Sequence, residues 1–561
     1  MLVSRAATVR RAVVATTAIA VMAGLTLVGG ATARASRAFD VAPPAAMSTM
    51  TGSAVRHEVQ APIPRLHWKK CSSFSGRMQC AHAKVPRDYD HPFGAKTTLT
   101  LSRVRATNPS KRIGTLFVNP GGPGVPASEF PGLFAQVLGR HVAQRFDLVG
   151  IDPRGVGGSA PLICRNPPPN SAHPNRTIAF PYTSREIREW LRFDAYTSRL
   201  CATHSRPILD HMSTADTARD MDLIRQALGE SKLSYYGISY GTYLGATYAA
   251  LFPDRIRAMV LDGVLDPVAW ATGRDGQGTK VPFSNRLHSG IGSWQALTSA
   301  FAECDRVGRS RCPLAGHAAF SWHQVIHRLR KGPVTFPHRF VLRYSDLVGL
   351  AAGALYSRSS YRPLMRLIAD VHAQLFAPRG ARPLADAESA YQRLKAKIRR
   401  ADVTRPYGFG PHRFDMSFSG IACADSINPS DPRVWIRAAR QADQRSPWFG
   451  AYWTWVSSTC GTWPGSAVDA FRGSFRTRTS APVLIVGNTY DPATPISGAR
   501  RLNTLFAGSR LLTLLGWGHG AIGESRCVTK RTQGYLVRGI LPLSGKSCKE
   551  DKQLFPRRPA G

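Results

Sequence analysis

Gly237-Ile238-Ser239-Tyr240-Gly241 sets a serine midway between two glycines. A serine hydroxyl is a poor nucleophile until a base removes its proton, and that base needs an acid to orient it. Glycines flanking the serine let two backbone segments approach closely around a strained turn, which holds the hydroxyl out for attack. With 50 glycines among 561 residues the pentapeptide arises easily by chance, so its setting has to decide. Two further residues complete the requirement in the chain order serine, acid, base. Asp491 ends the apolar run APVLIVG in the loop NTYDPATP, and His519 lies in GWGHG after the run SRLLTLL. Of the 16 histidines, only His519 has glycine neighbours behind a late, strongly apolar run. Asp262 and Asp266, which follow the apolar run IRAMVL directly after the helix TYLGATYAALF, are rival acids. Asp491 is preferred, because the rivals read more readily as loop caps.

Attack on a carbonyl builds negative charge on its oxygen, and two backbone N–H donors must meet it. Tyr240, the residue after the serine, should supply one. The loop Asn119-Pro120-Gly121-Gly122-Pro123-Gly124 should supply the other, through Gly122. Such a loop can also cradle phosphate, but no Walker Lys-Ser/Thr follows it and Pro123 removes a donor, so nucleotide binding is not expected. No cofactor is expected.

These residues need a scaffold that brings distant loops to one edge. TTLTLSRVRA alternates like a half-buried strand, while GTLFVN and RFDLVGI are short apolar runs ending in turns. A helix is expected from Thr214 to Leu228, capped by Ser213 or Thr214. The strand LSYYG, the helix TYLGATYAALF and the strand IRAMVLDGV follow. Strand and helix alternating, with strands apolar on both faces, predict a parallel sheet covered by helices. The alternation fails after Pro267. Residues 268–470 carry Trp-, Arg- and Pro-rich helical patches and read as a mostly helical insertion, a lid over the site. Trp453, Trp455 and Trp463 there suit an apolar substrate pocket, with core packing as their default role. The expected division is a leader at 1–35, a linker or pro-segment at 36–60, core at 61–267, a helical cap at 268–470 and core again at 471–561. The fold class is α/β, a mostly parallel sheet with a large, mainly helical cap.

Arg5, Arg10 and Arg11 precede an apolar stretch from Ala12 to Gly29, with small-residue cleavage sites up to Ala35. That is the pattern of a signal peptide, and an uncleaved anchor is the competing reading. No other stretch approaches 18 apolar residues. Ten cysteines, an even number, suit disulfides in an exported chain. Their spacing suggests pairing of neighbours: Cys71/Cys80, Cys164/Cys201, Cys304/Cys312, Cys423/Cys460 and Cys527/Cys548. None forms a CxxC and no histidines gather beside them, so no metal site is expected. Lys and Arg total 74 against 35 Asp and Glu, a net charge of +39. No run of five basic residues and no nucleic-acid motif accompanies that excess, so no specific nucleic-acid partner is expected. Non-specific attraction to anionic cell-wall polymers is.

The segments NPGGPG, FDLVGIDPRGVGGS, ARDMDLIRQALGESKLSYYGISYGTYLGATYAALFPDRIRAMVLDGVLDP, NTYDPATP and GHG, with CVTKRTQGYLVRGILPLSGKSC, carry a family resemblance. The chain resembles secreted tripeptidyl aminopeptidases of the proline-iminopeptidase-related α/β-hydrolases, over most of 60–270 and 420–550. The resemblance implies an α/β-hydrolase fold, a triad of Ser239, Asp491 and His519, and release of short peptides from free N-termini. The family usually continues NPGGPG with glycine and serine, where Val125-Pro126 stand here. A free N-terminus calls for a carboxylate near the pocket. Glu129, Glu303 and Asp425 are the candidates, Asp425 favoured because the family carries an acid in a similar CAD context. Two other readings stay open: an esterase, lipase or amidase on small acyl compounds, and a non-catalytic binding protein of the cell envelope.

Overall fold

The protein's structure, a computed structural model, describes residues 60–71, 78–165, 177–376, 386–401 and 413–557. The expected leader and all but the last residue of the linker lie outside them.

A ten-stranded sheet forms the frame. Its strands are β1 (Lys69–Lys70), β2 (Met78–Pro86), β3 (Lys96–Val104), β4 (Gly114–Asn119), β5 (Phe146–Ile151), β6 (Leu233–Ile238), β7 (Ile256–Asp262), β8 (Leu484–Tyr490), β9 (Arg510–Trp517) and β10 (Ser547–Lys549). The spatial order is β1-β2-β3-β5-β4-β6-β7-β8-β9-β10. Pairing is antiparallel from β1 to β5 and parallel from β5 onward. Chemistry and burial agree strand by strand. The alternating sequence of β3 is the half-exposed, antiparallel part, whereas every residue of GTLFVN and FDLVGI is buried, as central strands covered on both faces require.

One face is covered by helices α1 (Pro131–Leu138) and α14 (Arg526–Arg538), with Phe134, Val528 and Tyr535 packing on Leu116, Val260 and Leu512. The other is covered by α3 (Thr214–Ala227), α4 (Tyr240–Leu251) and α13 (Ile496–Leu505), through Leu223, Leu244 and Leu502. Ser213 is the cap of α3, its side chain accepting from Asp216 N.

The segment after β7 is helical, as its patches suggested. It includes α5 (Ser289–Val307), α6 (Ala318–Arg330), α7 (Tyr344–Leu355), α8 (Arg358–Phe376), α9 (Ala387–Ala401), α10 (Ser417–Asp425), α11 (Pro432–Arg445) and α12 (Phe449–Val456). Most of these share one apolar cluster around Trp322, Leu347, Ile368 and Trp455. That cluster also takes in Phe180 and Trp190, the latter from α2 (Ser184–His204), so a helix preceding the serine packs with the later helical segment. Helix α10 goes the other way: its Ile421 and Ala422 join the core beneath α3 and α4.

All five disulfides pair the cysteines as their spacing suggested. Among the described residues no helix is long and apolar enough to cross a membrane.

Candidate active site

Strand β6 delivers Ser239 to a turn at the C-terminal edge of the sheet, where α4 begins at the next residue. Ser239 has φ 57° and ψ −124°. A residue with a Cβ held there stores about 1–3 kcal/mol of backbone strain, which the surrounding contacts must sustain. They do. Ser239 N donates to Asp262 O at 3.0 Å, and Tyr235 Oη donates to Gly241 O at 2.7 Å. A Cβ on Gly237 would lie 2.3 Å from Gly241 O, so the motif's first glycine is demanded by close approach. Ser239 itself is half-buried at the helix N-terminus.

The glycine loop after β4 sits against this turn. A Cβ on Gly121, whose φ is +100°, would meet Ile238 O at 2.5 Å and Ser239 Cβ at 2.8 Å. Gly121 N donates to the buried Asn119 Oδ1 at 2.9 Å, which ties the loop to its own strand. Tyr240 N, first in its helix, has no partner within the helix. Gly122, partly exposed, precedes a cis peptide to Pro123. Val125 and Pro126, where the sequence departs from the family pattern, are buried, and Val125 lies beside Gly122. The loop's far side is braced by Asp152, whose carboxylate accepts from Ser128 N at 2.8 Å and Gly158 N at 3.0 Å.

On the same edge, beyond β8 and β9, Asp491 and His519 meet. His519 Nδ1 lies 2.9 and 3.0 Å from the two Asp491 oxygens. Asp491 is buried and also accepts from Ala493 N (3.0 Å), Thr494 N (2.9 Å) and Gly520 N (3.2 Å). Those amides aim the carboxylate at the imidazole and keep it there. Burial, the largest influence on His519, disfavours its cation, yet the charges of Asp491 and Asp262 outweigh it and raise the imidazole pKa above 6.5. The Tyr356 ring stands edge-on to the imidazole at 5.0 Å, and Tyr356 O accepts from His519 N.

The two rival acids do other work. Asp266 caps the short helix Pro267–Ala271 and pairs with Arg274. Asp262 accepts from Ala521 N (2.9 Å), Ile522 N (3.0 Å) and Tyr236 Oη (2.9 Å), so it locks the loop after His519 to the strand after the serine. Burial raises its pKa to about 6. Asn488 does the equivalent from β8, donating to Gly518 O and Gly520 O. Neither role was anticipated; both come from single polar residues inside apolar strand ends, a signal visible in MVLDG and LIVGN.

The remaining candidates are spread out. Asp425 is buried at the end of α10, accepting from Thr214 N (2.8 Å), Thr214 Oγ1 (2.7 Å) and Trp270 Nε1 (3.3 Å). Thr214 Oγ1 in turn bonds Tyr240 Oη, so Asp425 underpins the helix that follows the nucleophile turn. Glu129 is half-buried just past the glycine loop, and burial followed by the Asp152 charge raises its pKa. Glu303 pairs with Arg306 along α5. Trp455 is core, Trp453 Nε1 donates to Ser293 Oγ, and Trp463 packs against the sheet-side core.

Comparison with known proteins follows the same lines. Residues 114–286 match the model of the alpha/beta hydrolase fold family, and 446–548 match that of TAP-like proteins. The chain is 30% identical over 495 residues to a tripeptidyl aminopeptidase of Streptomyces lividans, covering 86% of each chain. The chain belongs to the TAP-like α/β-hydrolases. This TAP-like hydrolase is also 32% identical over 510 residues to the serine protease Hip1 of Mycobacterium tuberculosis, covering 86% of its own length and 91% of the relative's. It is 31% identical to carboxylesterase B of Mycobacterium tuberculosis, covering 87% and 91%. Membership makes it a serine hydrolase.

Proposed function

We propose that the protein is a secreted serine exopeptidase that releases short peptides, tripeptides in the main, from free N-termini. The observation that carries the chemistry is the two-oxygen contact of Asp491 with His519 Nδ1 on the sheet edge where Ser239 sits in its strained turn. With Nδ1–H held by the carboxylate, Nε2 is the basic nitrogen. It takes the Ser239 proton as Oγ attacks the peptide carbonyl, while Tyr240 N and Gly122 N donate to the developing oxyanion. The imidazolium then protonates the leaving amine, and water, deprotonated by the same nitrogen, hydrolyses the acyl-enzyme. The substrate class is supported by the two peptidase relatives, and export by the five disulfides. The ammonium of the substrate would need a carboxylate, and Glu129, beside the glycine loop, is better placed for it than the buried and fully engaged Asp425.

A second reading, hydrolysis of carboxylic esters, is favoured by the carboxylesterase B likeness. One assay separates them: a tripeptide chromogenic amide with a free amine, its N-acetylated twin and a short-chain nitrophenyl ester. Strong preference for the free amine supports the exopeptidase; turnover of the ester alone overturns it.

A further inference from the structure

A cavity of about 350 Å³ opens between the Arg274–Arg286 segment, the start of α5 and helix α11. Small-molecule sites start at about this size. Its walls carry Arg274, Lys280, Arg286, Arg437, Arg445 and His288. Arg274 is paired, through Asp266. The other four cations have no carboxylate within ion-pair distance among the described residues.

Arg286 forms the floor and is buried. Its guanidinium is held by backbone carbonyls alone: Ala269, Trp270, Val281 and Ile427 at 2.7–2.9 Å, with Gly278 and Ala271 at 3.3 Å. Burial lowers its pKa to about 10, so it stays charged at neutral pH. A buried cation without a counter-charge is costly, and natural proteins usually pair it. Here the charges around it are of the same sign.

His288 reports that field. At the cavity wall burial first, then the charges of Arg445 and Arg274, push its imidazole below 6.5 against a weaker pull from Asp266. It also has φ 61°, a left-handed conformation at the residue just before α5. Strain of that kind gathers at ligand clamps and switch regions. The first turn of α5 is tied to the acid-bearing loop: Ser289 Oγ donates to Ala493 O and Ser293 Oγ to Pro492 O, both at 2.7 Å.

We propose that this cavity is an anion site that takes a small, multiply charged phosphoryl compound. The planar guanidinium groups of the exposed Arg437 and Arg445 match the oxygen pairs of phosphoryl groups, while Arg286, its N–H groups taken by carbonyls, contributes its charge alone. A single negative charge would leave most of the four unpaired cations uncompensated, whereas a diphosphate-sized anion offsets them and fits within the space. Ser239, Asp491 and His519 are not among the residues that line it, so its failure would leave the exopeptidase reading untouched.

The test is calorimetric titration of the full chain with inorganic pyrophosphate, against sodium chloride of matched ionic strength. Saturable one-to-one binding is expected, weakened at least tenfold by Arg437→Glu with Arg445→Glu and less by Lys280→Gln. All three side chains are exposed, so the variants should keep the wild-type melting temperature and peptide hydrolysis. Absence of saturable binding, binding unchanged in the double variant, or retention only of long polyphosphate chains by the general basic surface would overturn the proposal.

Discussion

His519 Nδ1 faces both oxygens of Asp491, at 2.9 and 3.0 Å, while three backbone amides hold the same carboxylate from the other side. The carboxylate therefore selects the tautomer with the proton on Nδ1, leaving Nε2 free to act as base. Asp491→Asn keeps the shape and removes the selection. It should lower kcat about 10⁴-fold, the size of this effect in serine hydrolases, with a much smaller effect on KM. Steady-state kinetics on a tripeptide amide checks this.

In the proposed mechanism the same pairing sets the acid limb of activity. The base works only when neutral, so kcat/KM should be full above the His519 pKa and fall as pH drops through it. Because the Asp491 and Asp262 charges overcome burial, that limb should lie above pH 6.5. In Asp262→Asn one of those charges is gone, and the limb should move to lower pH.

Gly121 touches the nucleophile turn too closely for any side chain. In Gly121→Ala the new Cβ would stand 2.5 Å from Ile238 O and 2.8 Å from Ser239 Cβ at φ +100°. The glycine loop must retreat, taking with it Gly122, the proposed oxyanion donor. A loss of about 10²–10³-fold in kcat is expected, as for removal of an oxyanion donor, together with a lowered melting temperature.

Asp425 should be visible in stability. Burial raises its folded pKa from 3.8 to about 7, so between those values the folded state binds a proton that the unfolded chain releases. Its contribution is present in acid and lost as pH rises through about 7. Asp425→Asn should flatten that part of the stability–pH curve, and should cost about 1–3 kcal/mol through its disturbed bonds to Thr214 and Trp270. Denaturant midpoints at pH 4.5 and 7.5 read both effects.

The Ser239 turn, Asp491 and His519 could be placed on one edge from the sequence because each follows an apolar strand, and strand ends in a parallel sheet share one edge. The glycines around Ser239 were legible for the same steric reason that fixes them in the structure. Asp262 and Asn488 stand out as single polar residues in apolar strand ends, but what they bind does not. Their partners, the backbone groups flanking His519, come from a remote part of the chain, and no local pattern encodes that approach. Trp190 falls inside 61–267, the stretch expected to be core, yet packs with the later helices, because an apolar residue does not name what covers it. The basic cavity was equally hidden: its arginines are scattered among 74 basic residues, and only the packing of α11 against the Arg274–Arg286 segment assembles them.

The measurement closest to the central claim is covalent labelling with a fluorophosphonate followed by peptide mapping. A single adduct on Ser239, absent in Ser239→Ala and slowed in His519→Ala while both variants keep the wild-type melting temperature, is the predicted result. An adduct on another residue, or labelling that survives Ser239→Ala, would contradict the account.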